Sequence, residues 1–207
     1  MSLIYGTGSF TRFKVDGDPR EDYLETFPKS IARYAFRNLD ETSDEERSSG
    51  WVNIMDMFDS GFAGMDYFKD PCIALSWRVD VRKVPAKALK QYSREEEEKI
   101  KESEELEHIS KKRRQDIKEA VRIKLMKRAI PRSNTYDMIW NLQTRLVIFG
   151  STSNKLSDEF AEFFLQCFGL HLKAVYPHAL ASEILEKEGM DSGLLEGLRY
   201  SIDTEGH

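Results

Sequence analysis

The chain has 207 residues, of which 40% are hydrophobic and 32% are charged, so it can form one large domain or two small ones around a real core. Its apolar stretches are shorter than the roughly 20 residues that a membrane helix needs, and its start shows no secretory signal pattern. The two cysteines lie far apart in no metal-type cluster, which favours reduced thiols. We therefore expect a cytoplasmic protein with no membrane association.

The charges are strongly polarised within one stretch of the chain. The formal net charge is -5, which is not the charge expected of a free-standing nucleic-acid binder. From Arg94 to Glu107, however, eight residues are acidic and three are basic, whereas from Lys111 to Arg132 ten are basic and two are acidic. This local polarity is the strongest functional signal in the sequence.

The first residues predict a strand followed by a helix. Residues 9–15 alternate between a polar and a mostly apolar side, which is typical of a strand. Asp18 is expected to cap the helix with Pro19 in its first turn, and the helix should run to about Phe36. Pro28 lies inside this helix and should kink or split it, because its ring removes one backbone hydrogen bond.

Two further strands are predicted before the charged stretch. Residues 51–58 form a short apolar run, and residues 72–84 alternate over a longer one. In the longer strand the apolar positions should face the core while the other side remains wet. The residues expected on the wet side are Ser76, Arg78, Asp80 and Arg82.

Between Pro85 and Pro131 the chain has no proline or glycine, so this stretch can be helical throughout. As one helix it would span about 65 Å, several times the usual length. Between Ser93 and Glu105 the one large apolar residue is Ile100, so this part should project into solvent. We predict a helical arm or a helical hairpin with a break near residues 108–110.

The remaining residues predict a strand or hairpin, a helix, a strand and a weaker helix. Residues 136–149 read as one long strand or as a hairpin that turns near 141–145. Ser157 is expected to cap a helix that Gly169 ends. Its core face should consist of Phe160, Phe163, Phe164, Cys167 and Phe168. Residues 170–176 predict the last strand, and residues 182–188 the weaker helix.

This order of elements predicts an α+β fold with a ferredoxin-like β-α-β-β-α-β core and an additional α-β unit. Residues 4–84 and 134–180 would form the core, and residues 85–133 the charged arm. Residues 181–207 would form a tail whose last residues resemble a tag remnant.

No catalytic or metal-binding motif is found in the sequence. Gly6-Thr7-Gly8 precedes a strand and opens no helix, so it should not cradle a phosphate. No histidine has a partner at metal-ligand spacing. The four glutamates of residues 95–98 point about 100° apart on a helix and cannot converge on one ion. We therefore expect no enzyme activity, no catalytic residue, no metal and no cofactor.

The basic stretch leaves two interpretations open. Lys111, Arg114, Lys118 and Arg122 recur at helical spacing, with Arg132 beyond them, so several could share a face that contacts phosphates. Alternatively, the acidic run could pair with the basic stretch across a hairpin and neutralise it. In that case the arm would be a protein-interaction or oligomerisation module that binds no nucleic acid.

The chain resembles the family of recombination-associated RdgC proteins. The resemblance covers roughly residues 8–182, and it is carried by short segments in the same order and at similar spacing. These segments are Gly50-Trp51-Val52, residues 88–91 after Pro85, residues 111–130, Met138-Ile139-Trp140 and Phe168-Gly169-Leu170. Family members are about half as long again, and they prefer an aromatic residue where this chain has Ile130.

The resemblance implies a cytoplasmic, nucleoid-associated homodimer that binds double-stranded DNA without sequence preference and modulates RecA-dependent recombination, with RecA as a possible second partner. Some members carry an exonuclease label, for which this sequence offers no carboxylate constellation. The expected phosphate-binding residues are Lys111, Lys112, Arg113, Arg114, Lys118, Arg122, Lys127, Arg128 and Arg132.

Overall fold

The computed structural model describes residues 8–19, 21–40, 43–191 and 195. The strands are β1 Thr11–Asp16, β2 Arg47–Asn53, β3 Phe68–Lys69, β4 Cys72–Val81, β5 Arg132–Asn141, β6 Leu146–Phe149 and β7 His171–Ala174. The α-helices are α1 Tyr23–Arg33, α2 Ala86–Ser103, α3 Lys111–Arg128, α4 Asn154–Phe168 and α5 Pro177–Lys187, and a short 3-10 turn covers Ala63–Met65. The ends of the chain, including the tag-like residues, lie outside the described residues.

The named strands form one sheet in the order β2-β4-β5-β6-β1-β7, with β3 also paired to β4. Every ladder between these strands is antiparallel. The predicted α+β class is therefore confirmed. The ferredoxin-like order is not, because β5 and β6 lie between β1 and β4, which would be neighbours in that fold. The chain leaves β4 through α2 and returns through α3, so β5 can pair directly with β4 along ten residues.

Helices α1 and α4 cover one face of the sheet. The apolar sides of the strands project into this layer and meet the aromatic face of α4, as the alternating pattern predicts. The tryptophans Trp51, Trp77 and Trp140 are almost completely buried there. Phe149 of β6 stacks on Phe160 of α4 with ring centroids 4.0 Å apart. This layer is the principal core.

The opposite side of β4 is buried as well, so the prediction of a wet side is wrong. Ser76, Arg78, Asp80 and Arg82 are each less than a tenth exposed. The loop residues before β2 and after it fold over this end of the sheet and accept hydrogen bonds from the two arginines. Asp137 of β5 accepts a hydrogen bond from Ser76 at 2.6 Å. Each polar side chain thus finds a partner that replaces water.

Several helix boundaries differ from the prediction. Helix α1 begins at Tyr23 rather than near Asp18, whose carboxylate instead pairs with Arg145 at 3.0 Å. The helix continues through Pro28 without being split.

The start of α4 also differs from the prediction. Ser153 caps this helix by accepting the backbone N–H of Leu156. The predicted cap, Ser157, lies one turn inside the helix, where its hydroxyl donates to Thr11. The predicted end at Gly169 is confirmed, since this residue has the left-handed φ of 70° that glycine adopts readily.

Candidate nucleic-acid interface

The charged arm is an antiparallel helical hairpin inserted between β4 and β5. Its helices α2 and α3 have 18 residues each, which corresponds to about 27 Å per helix. Residues 104–110 connect them, and this connection includes the break predicted near residues 108–110. Glu105 takes a left-handed φ of 51° in this connection. Ser110 then caps α3 by accepting the backbone N–H of Arg113 at 3.3 Å.

A small apolar cluster holds the two helices in register. Ile109, Ile117 and Val121 are buried, and Leu89, Ile100 and Leu125 pack against them. Ile100 and Leu89 come from α2, so the sparse apolar residues of that helix are used inside the hairpin rather than against the main core. Because the helices are antiparallel, the end of α2 lies beside the start of α3, and the start of α2 lies beside the end of α3.

Ion pairs join the helices where α2 ends and α3 begins. The Nε atom of Arg114 lies 3.1 Å from a carboxylate oxygen of Glu97. Arg113 donates to Glu104, and this hydrogen bond raises the pKa of the Arg113 guanidinium. The acidic run thus docks on part of the basic helix within the same chain.

The antiparallel register divides the hairpin into two halves of different charge. We call residues 94–119 the tip and residues 83–93 with 120–132 the root. The tip has ten acidic and eight basic residues, so its cations are more than balanced. The root has eight basic residues and no acidic residue. These are Lys83, Lys87, Lys90, Arg122, Lys124, Lys127, Arg128 and Arg132.

Three of the nine predicted phosphate-binding residues are engaged in ion pairs. Arg114 pairs with Glu97 of α2, and Arg113 pairs with Glu104 just after α2. Arg122 pairs with Glu119 and with Glu46 just before β2. The other six form no ion pair with a described residue, and all are exposed. They are Lys111, Lys112, Lys118, Lys127, Arg128 and Arg132. The predicted common face of α3 is therefore interrupted by paired arginines.

Four root lysines were not among the predicted residues. Lys83, Lys87, Lys90 and Lys124 are exposed and form no ion pair with a described residue. Lys124 belongs to the basic stretch itself. The other three lie upstream of the acidic run, in a segment without acids, and an antiparallel hairpin brings that segment beside the end of α3. The sequence contains this signal, but it becomes visible only once the hairpin register is known.

The root continues onto the end of the sheet. Arg47 of β2 and Arg132 of β5 are both directly opposite Val81 of β4, so the two arginines lie on the same face of the sheet. Arg47 is bound to Glu159 of α4 at 2.5 Å, and this pair lowers the pKa of the Glu159 carboxyl. Ile130, between α3 and Arg132, is 88% exposed. The uncompensated charge therefore ends at Arg132.

The structure also has a mostly apolar cleft away from the hairpin. A cleft of about 670 Å³ between β1, the start of α4 and α5 is mostly apolar, with Phe10, Tyr176 and Ile184 in its lining. Within the described ranges, no group of three His, Cys, Asp or Glu side chains is placed to hold a metal ion. No helix in the part of the chain that the structure describes is long and apolar enough to cross a membrane.

The architecture defines an α+β protein whose antiparallel sheet carries an inserted, charged helical hairpin. Residues 12–186 match the model of the family described as "Putative exonuclease, RdgC". This match covers most of the 207 residues, so the chain belongs to the RdgC family. No curated protein matches the chain.

Proposed function

We propose that this RdgC-family chain binds duplex DNA without sequence preference through the basic root of its helical hairpin. The observation that carries the proposal is the division of charge: seven exposed root cations have no ion-pair partner among the described residues, and the root segments contain no acid. These cations are Lys83, Lys87, Lys90, Lys124, Lys127, Arg128 and Arg132. They would bind phosphates although the whole chain is acidic.

Phosphate contacts explain both the affinity and the lack of sequence preference. Each lysine or arginine that neutralises a phosphate releases a counterion, and this release supplies most of the nonspecific binding energy. Contacts to the backbone carry no information about the bases. Seven such contacts predict a slope of about -6 in a plot of log K against log salt concentration, since each contributes about -0.9.

The family resemblance extends the proposal beyond the hairpin. We propose that the chain acts as a nucleoid-associated homodimer that modulates RecA-dependent recombination, with RecA as a second partner. We also propose that it binds DNA without cleaving it, although the description of the family names an exonuclease. Release of a labelled terminal nucleotide in the presence of Mg²⁺, by protein free of contaminating nuclease, would refute this last point.

The DNA-binding proposal can be tested by fluorescence anisotropy of a labelled random-sequence duplex at 50 and 200 mM salt. The root variant combines Lys87→Ala, Lys124→Ala and Lys127→Ala. The matched tip variant combines three exposed lysines of the other half of the hairpin, of which Lys99 pairs with Glu96 at 3.6 Å. These are Lys99→Ala, Lys111→Ala and Lys112→Ala. Both variants remove three positive charges from the same two helices, so they differ in the half of the hairpin that they change.

Between 50 and 200 mM salt, each phosphate contact accounts for about a 3.5-fold loss of affinity. Since the root variant lacks three contacts, its loss of affinity between the two salt concentrations should be about fortyfold smaller than that of the unmodified chain. The tip variant should change it by less than the roughly 3.5-fold of one contact. Equal effects of the two variants would show that the root is not the interface. Absence of binding by the unmodified chain at 50 mM would refute the proposed function.

A second candidate function is a protein-interaction or oligomerisation module. It is favoured by the docking of the acidic run onto the start of α3 through Arg113 and Arg114, which leaves the tip slightly acidic. Such a module would self-associate, or bind a partner, with little dependence on salt and without shifting DNA. No anisotropy change with the labelled duplex at 50 mM salt, together with salt-insensitive self-association in sedimentation equilibrium, would favour this candidate over the first, which also predicts a dimer.

A further inference from the structure

We propose that the acidic run of residues 94–107 is a built-in competitor of DNA: Glu97 and Glu104 bind Arg114 and Arg113 and thereby keep DNA from engaging the tip of the hairpin. The inference rests on the proposed function, because it concerns how the same hairpin is regulated. It adds that the acidic run limits the number of phosphates that the basic helix binds, and so limits the affinity.

The competing contacts are placed by the fold of the hairpin. The apolar cluster of Ile109, Ile117 and Val121 fixes the register of the two helices, and the Ser110 cap fixes the first turn of α3. In this register Arg114 lies beside Glu97, with 56% of the arginine side chain exposed and 19% of the glutamate. The guanidinium is thus reachable from solvent while one of its edges is already bound.

A carboxylate and a phosphate compete for the same guanidinium donors, because both prefer charge-assisted and often bidentate hydrogen bonds. An arginine that is already paired brings little net positive charge to the DNA, and it must release its glutamate before it can bind a phosphate. The freed carboxylate would then repel the phosphate nearby. Exposed pairs of this kind contribute only about 0.2–1 kcal/mol, so the competition is close and can be shifted by substitution.

The charge of the surrounding residues acts in the same direction. The tip contains ten acidic and eight basic residues, whereas all charged residues of the root are basic. DNA is therefore attracted to the root and repelled by the acidic side chains further along the hairpin. The binding footprint should therefore end before Arg113 and Arg114 at the tip.

The test compares two variants that remove the same charge from the same region. The release variant combines Glu97→Gln with Glu104→Gln and removes the negative charges that hold both arginines. The control variant combines Glu102→Gln with Glu105→Gln, two exposed glutamates that form no ion pair with a described residue. Glutamine preserves the size of each side chain and the helical register, which circular dichroism can verify.

Anisotropy titrations with the labelled duplex at 50 and 200 mM salt provide the readout. Two additional phosphate contacts should steepen the slope of log K against log salt by about 1.8 and increase the loss of affinity between the two salt concentrations by about twelvefold. The release variant should also bind more tightly at 50 mM than the control variant. An equal gain in both variants would overturn the inference, because a general reduction of negative charge would then suffice.

A substitution at Arg114 tests the inference without relying on the glutamine variants. In the unmodified chain, Arg114→Ala should weaken binding less than twofold, because Glu97 already holds that arginine. In the release variant the same substitution should remove about half of the added salt dependence, one contact of two. If Arg114→Ala alone weakens binding as much as Lys127→Ala, the arginine contacts DNA in the unmodified chain and the inference is wrong.

The two proposals fail in different ways. If the unmodified chain does not bind the duplex at 50 mM salt, the proposed function is wrong, and there is no DNA binding for the acidic run to compete with. If the chain binds through its root but the release and control variants behave alike, the proposed function survives and the competition is refuted.

Discussion

The buried ion pair of β4 provides a sharp test of how the sheet is stabilised. Arg78 donates to both carboxylate oxygens of Asp80 at 2.8 Å, and the two side chains are 9% and 5% exposed. The guanidinium also donates to the carbonyl of Met57 at 3.1 Å, and it lies over the Phe36 ring with its central carbon 4.1 Å from the ring centroid. Replacing Asp80 with alanine would leave this cation buried without its counter-charge.

The expected loss of stability follows from that arrangement. Breaking a buried pair by removing one partner costs about 3–5 kcal/mol, because the remaining charge is desolvated and uncompensated. Folded proteins are stable by about 5–15 kcal/mol in total, so the loss is a large share. Glu159→Ala serves as the control, since the pair of Glu159 with Arg47 is much more exposed and such pairs contribute about 0–1 kcal/mol.

Urea unfolding followed by the fluorescence of the buried tryptophans measures both variants. With a denaturant slope of about 2 kcal/mol per molar urea, Asp80→Ala should lower the midpoint by about 2 M, and Glu159→Ala by less than about 0.5 M. A double variant, Arg78→Met with Asp80→Leu, should be more stable than Asp80→Leu alone, because apolar replacement of both partners leaves no buried charge. Equal midpoints for Asp80→Ala and Glu159→Ala would refute the assignment of a buried pair.

Three further predictions concern Gly50 and the two cysteines. Gly50→Ala should lower the melting temperature sharply compared with Gly8→Ala, because a Cβ at Gly50 would lie 2.5 Å from the Phe36 backbone whereas one at Gly8 would meet nothing within 4 Å; equal melting temperatures would contradict this packing. Burial raises the pKa of Cys167 to about 12, above its ordinary value of 9.0, so the neutral thiol should stabilise the fold at lower pH and this contribution should be lost between about pH 9 and 12. The free energy of unfolding, measured across that range, should fall less steeply for Cys167→Ala. In the native state at pH 8, a thiol reagent should modify the half-buried Cys72 before Cys167.

Much of the architecture follows from local patterns in the sequence. Alternation along residues 72–84 predicts β4 and its apolar side, and the aromatic spacing from Phe160 to Phe168 predicts the core face of α4. The scarcity of apolar residues between Ser93 and Glu105 predicts a helical arm or hairpin that projects into solvent, with a break near residues 108–110. These predictions succeed because side-chain periodicity is set by the geometry of each element itself.

Other features required the tertiary structure. The polar side of β4 is buried because loops distant in sequence fold over Arg78 and Arg82, and no pattern within the strand records this. The helix cap falls on Ser153 rather than Ser157 because the helix begins one turn earlier, and the hydroxyl of Ser157 donates to Thr11 instead. The strand order depends on the hairpin returning the chain to its starting point beside β4.

The sequence by itself determined that this protein carries an acidic run followed by a basic one, and that both lie on helices. It did not determine which cations remain uncompensated. Only the antiparallel hairpin places the acids beside Arg113 and Arg114 and leaves the root lysines without an ion-pair partner among the described residues. The physical reason is that electrostatic pairing acts over a few ångströms in space, whereas the sequence records only separation along the chain.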